Sequence, residues 1–230
     1  MIALFISIIV GATLIGIGVH FIPVGGAPAA LSTTAGIPTG APMITIGMGI
    51  TGILVTSSVI GQSQLIVLLS GATSSMIMMA VTMLFSNIVH VYGVGVPISS
   101  QSFEKDPITG FSQENYVSPG TTGHGIPTVS FISGLFGALL GGLGGSLAYY
   151  SIFNHILIHS SITDNIGTIA AVFAVLLFFI IAVISSYNIG GTIQGFYDKK
   201  FKTKIVPGAI SCFLVSVVLS IFYVIILGGI

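Results

Sequence analysis

Arginine and tryptophan are absent from the chain, cysteine occurs once, and only 4% of the 230 residues are charged. A soluble domain of this length carries about a quarter charged residues to cover its water-facing surface. Five basic and five acidic side chains, with a formal net charge of zero, cannot build such a surface. The same shortage removes the basic footprint that a nucleic-acid binder needs. The lone Cys212 has no partner for an internal disulfide and reads as a small buried side chain. The opening residues MIALFISIIVGATLIG lack the basic flank of a signal peptide and read as a retained first helix.

What is present is apolar. Hydrophobic residues make up 53% of the chain and the mean hydropathy is +1.12. Six uncharged runs, at about 2–19, 42–60, 65–89, 129–150, 166–187 and 205–226, have the length a bilayer crossing requires. They are continuous instead of alternating, which favours helices over barrel strands. The expected architecture is therefore an all-α integral membrane protein, one polytopic domain over 1–230 with six transmembrane helices.

Orientation follows from YDKKFKTKIVPG, whose four lysines form the one strong positive-inside signal. This loop belongs in the cytoplasm, and six crossings then place both termini outside. The segments at about 20–41, 91–127 and 190–204 fall on the cytoplasmic side, whereas the turn near Gly61 and the 151–165 link fall outside. His20, His90 and His124 sort to cytoplasmic helix ends, and His155, His159 and Asp164 to the other side. The tetrapeptide GIPT stands before two helices, at 36–39 and 125–128.

Helix four, GLFGALLGGLGGSLAYY, repeats Gly134, Gly137, Gly141 and Gly144 or Gly145 at three- and four-residue steps. That spacing predicts one small-residue face for close helix packing in lipid. Gly47, Gly49 and Gly52 make a lesser version in helix two. Helix interiors contain no Asp, Glu, Lys or Arg, although coupling-ion sites usually carry an ionisable group. Neutral oxygens remain as sodium-path candidates: Thr73, Ser74, Ser75, Thr82, Ser86 and the amide of Asn87. Each also has a structural reading, a bond to its own backbone or to a neighbouring helix.

The stretch HFIPVGGAPAA, residues 20–30, breaks this apolar chain with two prolines and a glycine pair. It is too apolar for an exposed loop and too broken for a crossing. Non-helical backbone at membrane depth survives only when protein shelters it or a wet cavity borders it. A re-entrant or interfacial segment is expected, with His20, Pro23, Gly25, Gly26 and Pro28 lining a substrate or ion cavity beside Asn87 and His90. The histidines have a plainer reading as helix-end residues satisfied by water and backbone.

GVHFIPVGGAPAA, with the Gly/Thr/Pro-rich run that follows, resembles the D-subunit family of tetrahydromethanopterin S-methyltransferase. The resemblance extends over length, six crossings, the long 91–127 connection and the glycine-rich fourth helix. It implies a membrane component of a complex that transfers a methyl group from methyl-tetrahydromethanopterin, via a corrinoid cobalt, to coenzyme M, coupled to sodium export. Its partners would be membrane subunits C and E and the corrinoid-bearing A subunit, in an archaeal cytoplasmic membrane. No catalytic residue carries over, and no cofactor is assigned to this chain. None of its histidines has Asp two positions earlier, as a corrinoid-ligating Asp-x-His-x-x-Gly motif requires. His155 and His159 stand at i, i+4, a spacing that suits a metal, without an evident third ligand unless Asp164 folds back. The competing readings are a stand-alone small channel or transporter and a purely structural membrane scaffold.

Overall fold

In lipid each segment must satisfy its own backbone, and the uncharged runs do so as helices. The computed structural model describes residues 1–22, 45–94, 104–105, 112, 116–118, 121–123, 126, 128–161, 164–189 and 199–228. Helix α1 is Ile2–Phe21. Helix α2 opens with a π-helical turn, Thr45–Ile50, and continues as Thr51–Ser58. Helix α3, Gln64–Ile88, runs on into a second π-helical turn, Val89–Val94. Helices α4, α5 and α6 are Thr128–His159, Ile166–Ile189 and Lys199–Gly228. Within the 91–127 connection, β1 (Tyr116–Ser118) pairs antiparallel with β2 (Thr121–Gly123), Val117 opposite Thr122.

Five of these helices are long and apolar enough to cross a membrane. Of the second expected crossing, the described helix spans Thr45–Ser58, and residues 23–44 lie outside the described set. Three other bounds move outward, each for a local reason. His20 belongs to α1 and not to the broken segment, because its ring bonds the Gly16 carbonyl one turn back at 2.6 Å. Helix α4 continues to His159, since Asn154 and His159 bond the carbonyls of Tyr150 and His155 in the turn before. Helix α6 begins at Lys199, so Lys200, Lys202 and Lys204 lie in its first turns and Pro207 in its interior. An interior proline removes one backbone donor. That leaves the Thr203 carbonyl without its helical N–H partner, a loss tolerated near a helix end. Asn165, at φ 60°, precedes α5 in the left-handed region that Asn tolerates better than most residues.

Helix α4 is the hub, packed against α1, α2, α3 and α5. Glycine is the cause. A Cβ on Gly11 would lie 2.7 Å from the Gly144 carbonyl oxygen, and one on Gly18 would lie 2.5 Å from that of Gly137. The α1 and α4 backbones therefore touch directly. Gly137 and Gly144 face α1, and the Gly141 backbone also meets Gly18 of α1; a Cβ on Gly141 or Gly145 would meet Met48 or Ile53 of α2 and Phe178 of α5, and one on Gly142 would meet Ser75 of α3. Small residues on more than one side let α4 be approached by several helices at once. Outward faces of α3 and α6 carry exposed Leu69, Ile77, Phe85, Phe213, Val218 and Ile225, as a membrane-embedded surface should.

Candidate functional site

Where α2, α3 and α4 cross, each contributes a glycine and a hydroxyl four residues later: Gly52 and Thr56, Gly71 and Ser75, Gly142 and Ser146. All three hydroxyl residues are fully buried. Each donates to the carbonyl of its own glycine, at 2.7 Å for Thr56, 2.9 Å for Ser75 and 2.7 Å for Ser146. Thr56 also reaches the Ser146 oxygen at 2.8 Å, and Ser75 reaches the Met48 carbonyl at 2.7 Å. A hydroxyl has one proton and two lone pairs. The glycine carbonyls also accept their own helical N–H groups, and that of Gly71 accepts from Ser74 as well, so the lone pairs left over lie on the hydroxyl oxygens. Glycine makes this possible: a Cβ on Gly71 would lie 3.0 Å from the Gly52 carbonyl oxygen, on the neighbouring helix. The crossing is thus a neutral, buried cluster of hydroxyl and carbonyl oxygens.

Two polar clips stand at the lysine-bearing end of the bundle. His20, 1% exposed, donates from Nδ1 to the Gly16 carbonyl, so its Nε2 accepts from Asn188 Nδ2 at 2.8 Å. Asn188 donates as well to the Lys204 carbonyl at 3.1 Å, tying α1, α5 and α6 together. The Asn87 amide both donates to the Ile126 carbonyl at 2.8 Å and accepts from the Ile126 N–H at 2.6 Å. The Ser133 hydroxyl of α4 donates to the Phe21 carbonyl at the end of α1.

The candidates expected from the sequence divide accordingly. Ser75 sits at the three-helix crossing, Ser74 bonds the Gly71 carbonyl beside it, and Thr73 faces outward. Thr82 bonds the Met78 carbonyl, and Ser86 is half-buried beside Asn87. His20 and Asn87 are held in the two clips. Pro23, Gly25, Gly26, Pro28, His124 and the His90 side chain lie outside the described residues. Sequence reasoning missed Thr56, Ser146 and Asn188. For the first two a signal existed, the Gly-x-x-x-Ser/Thr pattern in GILVT, GATSS and GLGGS. Among the described residues no group of three or more His, Cys, Asp or Glu could hold a metal.

A glycine-packed bundle of apolar helices, five of them long enough to cross a bilayer, defines a multi-pass membrane protein. The sequence matches the family described as the D subunit of tetrahydromethanopterin S-methyltransferase over residues 1–216. The D subunit of Methanothermobacter thermautotrophicus is 50% identical over 213 residues, 92% of this chain and 91% of the relative. That of Methanopyrus kandleri is 45% identical over 215 residues (94% and 92%), and that of Methanocaldococcus jannaschii 46% over 228 (95% and 94%). The chain belongs to the D-subunit family of tetrahydromethanopterin S-methyltransferase.

Proposed function

We propose that this chain gives the methyltransferase complex part of its sodium route, with the α2–α3–α4 crossing as the sodium contact. The complex moves a methyl group from methyl-tetrahydromethanopterin, through a corrinoid on the A subunit, to coenzyme M, and exports sodium across the archaeal cytoplasmic membrane. Subunits C and E are its membrane neighbours. Both termini face outward and the lysine-bearing end faces the cytoplasm, in keeping with the positive-inside rule.

The observation that carries this reading is the buried Ser75 hydroxyl oxygen at the three-helix crossing, near those of Thr56 and Ser146, in helices that have no intramembrane carboxylate to attract a cation otherwise. The reading assigns Pro23, Gly25, Gly26 and Pro28, with His90, to the cytoplasmic entry for coenzyme M and sodium. His20 and Asn87 act there as anchors, since their hydrogen-bonding atoms are already engaged. Methyl transfer moves the residues after Phe21 against these anchors and changes sodium access. Such coupling requires states that differ in sodium affinity.

The test is the sodium dependence of methyl transfer by the purified complex. Ser75→Ala removes one oxygen ligand, and the sodium concentration for half-maximal rate should rise about tenfold, the equivalent of ~1.4 kcal/mol. An unchanged sodium dependence in a fully assembled Ser75→Ala complex overturns the assignment.

A further inference from the structure

At the end of the bundle opposite the lysines, a cavity of about 260 Å³ lies between the first turns of α1 and α3 and the last turns of α4. Met1 with its amino group, Ser7, Gln64, Asn154, His155 and His159 stand in its wall. We propose that this cavity binds a phosphate group, that of a membrane-lipid headgroup or its free counterpart.

Two helices open into it. The Phe5 N–H of α1 bonds the Met1 carbonyl at 2.9 Å, and the Val67 N–H of α3 bonds that of Ser63 at 3.0 Å. The N–H groups before them, including those of Ala3, Leu4 and Gln64 in the cavity wall, have no partner within their helices. No side chain caps either start. Helix starts of this kind hold anions through their backbone N–H groups and aligned peptide dipoles.

A buried side chain points to the same ligand. His155 is 6% exposed, with one ring nitrogen turned to the Leu227 carbonyl of α6, and its other nitrogen has no hydrogen-bond partner among the described residues. The His159 ring, stacked at 4.7 Å, spends Nδ1 on the His155 carbonyl and keeps Nε2. An anion nearby favours the imidazolium form, in which both of these nitrogens donate. Gln64 adds an amide and Ser7 a hydroxyl.

Little in the wall repels a negative charge. No carboxylate side chain is among the described residues lining the cavity. In the last turn of α4, the Ile156 carbonyl accepts from the Ser160 N–H at 3.0 Å and the His155 carbonyl from His159. The rest of the wall is mostly apolar and includes Ile158, 70% exposed on the bundle surface. Phosphate donors beside an apolar surface suit a lipid headgroup, so lipid is the expected source.

The experiment uses the whole purified complex, stripped of lipid in detergent, and equilibrium binding of radiolabelled inorganic phosphate, dioctanoyl phosphatidylglycerol and dioctanoylglycerol, which lacks the phosphate. Wild-type complex should bind one more phosphatidylglycerol per copy of this chain than the Gln64→Glu complex, and dioctanoylglycerol should not compete. Gln64 is exposed in the first turn of α3, where an acidic side chain favours the helix, so this variant should assemble normally. His159→Gln should weaken the same binding about tenfold. Inorganic phosphate bound with the same dependence on Gln64, in place of phosphatidylglycerol, supports the site with a soluble source. Equal binding of both phosphate probes by wild type and variants, or competition by dioctanoylglycerol, overturns it.

Discussion

Asn188 of α5 donates its amide to Nε2 of His20 of α1 across 2.8 Å, joining residues 168 positions apart in the chain. With Nδ1 already on the Gly16 carbonyl, the histidine is held in one tautomer and both of its nitrogens are spent. This pair ties the last turn of α1 to α5 and α6. Replacing Asn188 by Leu strands a buried ring nitrogen and removes one donor from the Lys204 carbonyl, at a cost of about 1–3 kcal/mol. Thermal unfolding of the complex should shift down for Asn188→Leu and for His20→Leu, and the double variant should lose less than the sum of the two.

The α1–α4 seam predicts a sharper effect. Gly18→Leu and Gly137→Leu each drive a side chain into the facing backbone, which cannot yield as a flexible side chain would. Both variants should fail to assemble, read as loss of the intact complex on native gels. Gly61→Ala, with open space around its added methyl, should assemble like wild type.

Topology is open to chemical labelling because the native thiol is silent. Cys212 is fully buried against Ser185, so a maleimide reagent should leave it unmodified in membranes. Gly61→Cys should then react with a membrane-impermeant maleimide added outside whole cells. Labelling only after the membrane is opened would reverse the proposed orientation.

Asn87 predicts a local effect at the other end of α3. Asn87→Leu removes two hydrogen bonds to Ile126 and releases the chain just before α4. Proteolytic cleavage between 95 and 127 should quicken, while Asn87→Asp, which keeps the acceptor for the Ile126 N–H, should fall between the two.

Much of this architecture could be read from the sequence because lipid imposes simple rules. Uncharged runs at 65–89 and 166–187 became helices over nearly the same residues, and the glycines of α4 marked the packing hub. Helix ends were less legible. Polar Asn154 and His159 looked like a loop, yet each bonds a carbonyl one turn back and keeps α4 helical. The His20–Asn188 pair had no local signature, since nothing near either residue announces a partner so far away in sequence. The hydroxyl crossing was half legible: Ser75 stood out singly, but only the fold brings Thr56 and Ser146 to it.

The most direct measurement is sodium moved per methyl group transferred, using radioactive sodium uptake into inverted liposomes that carry the assembled complex. With Ser75→Ala together with Thr56→Val, the account predicts a ratio reduced severalfold at limiting sodium, in complexes of normal composition. The same ratio as wild type at every sodium concentration would contradict it.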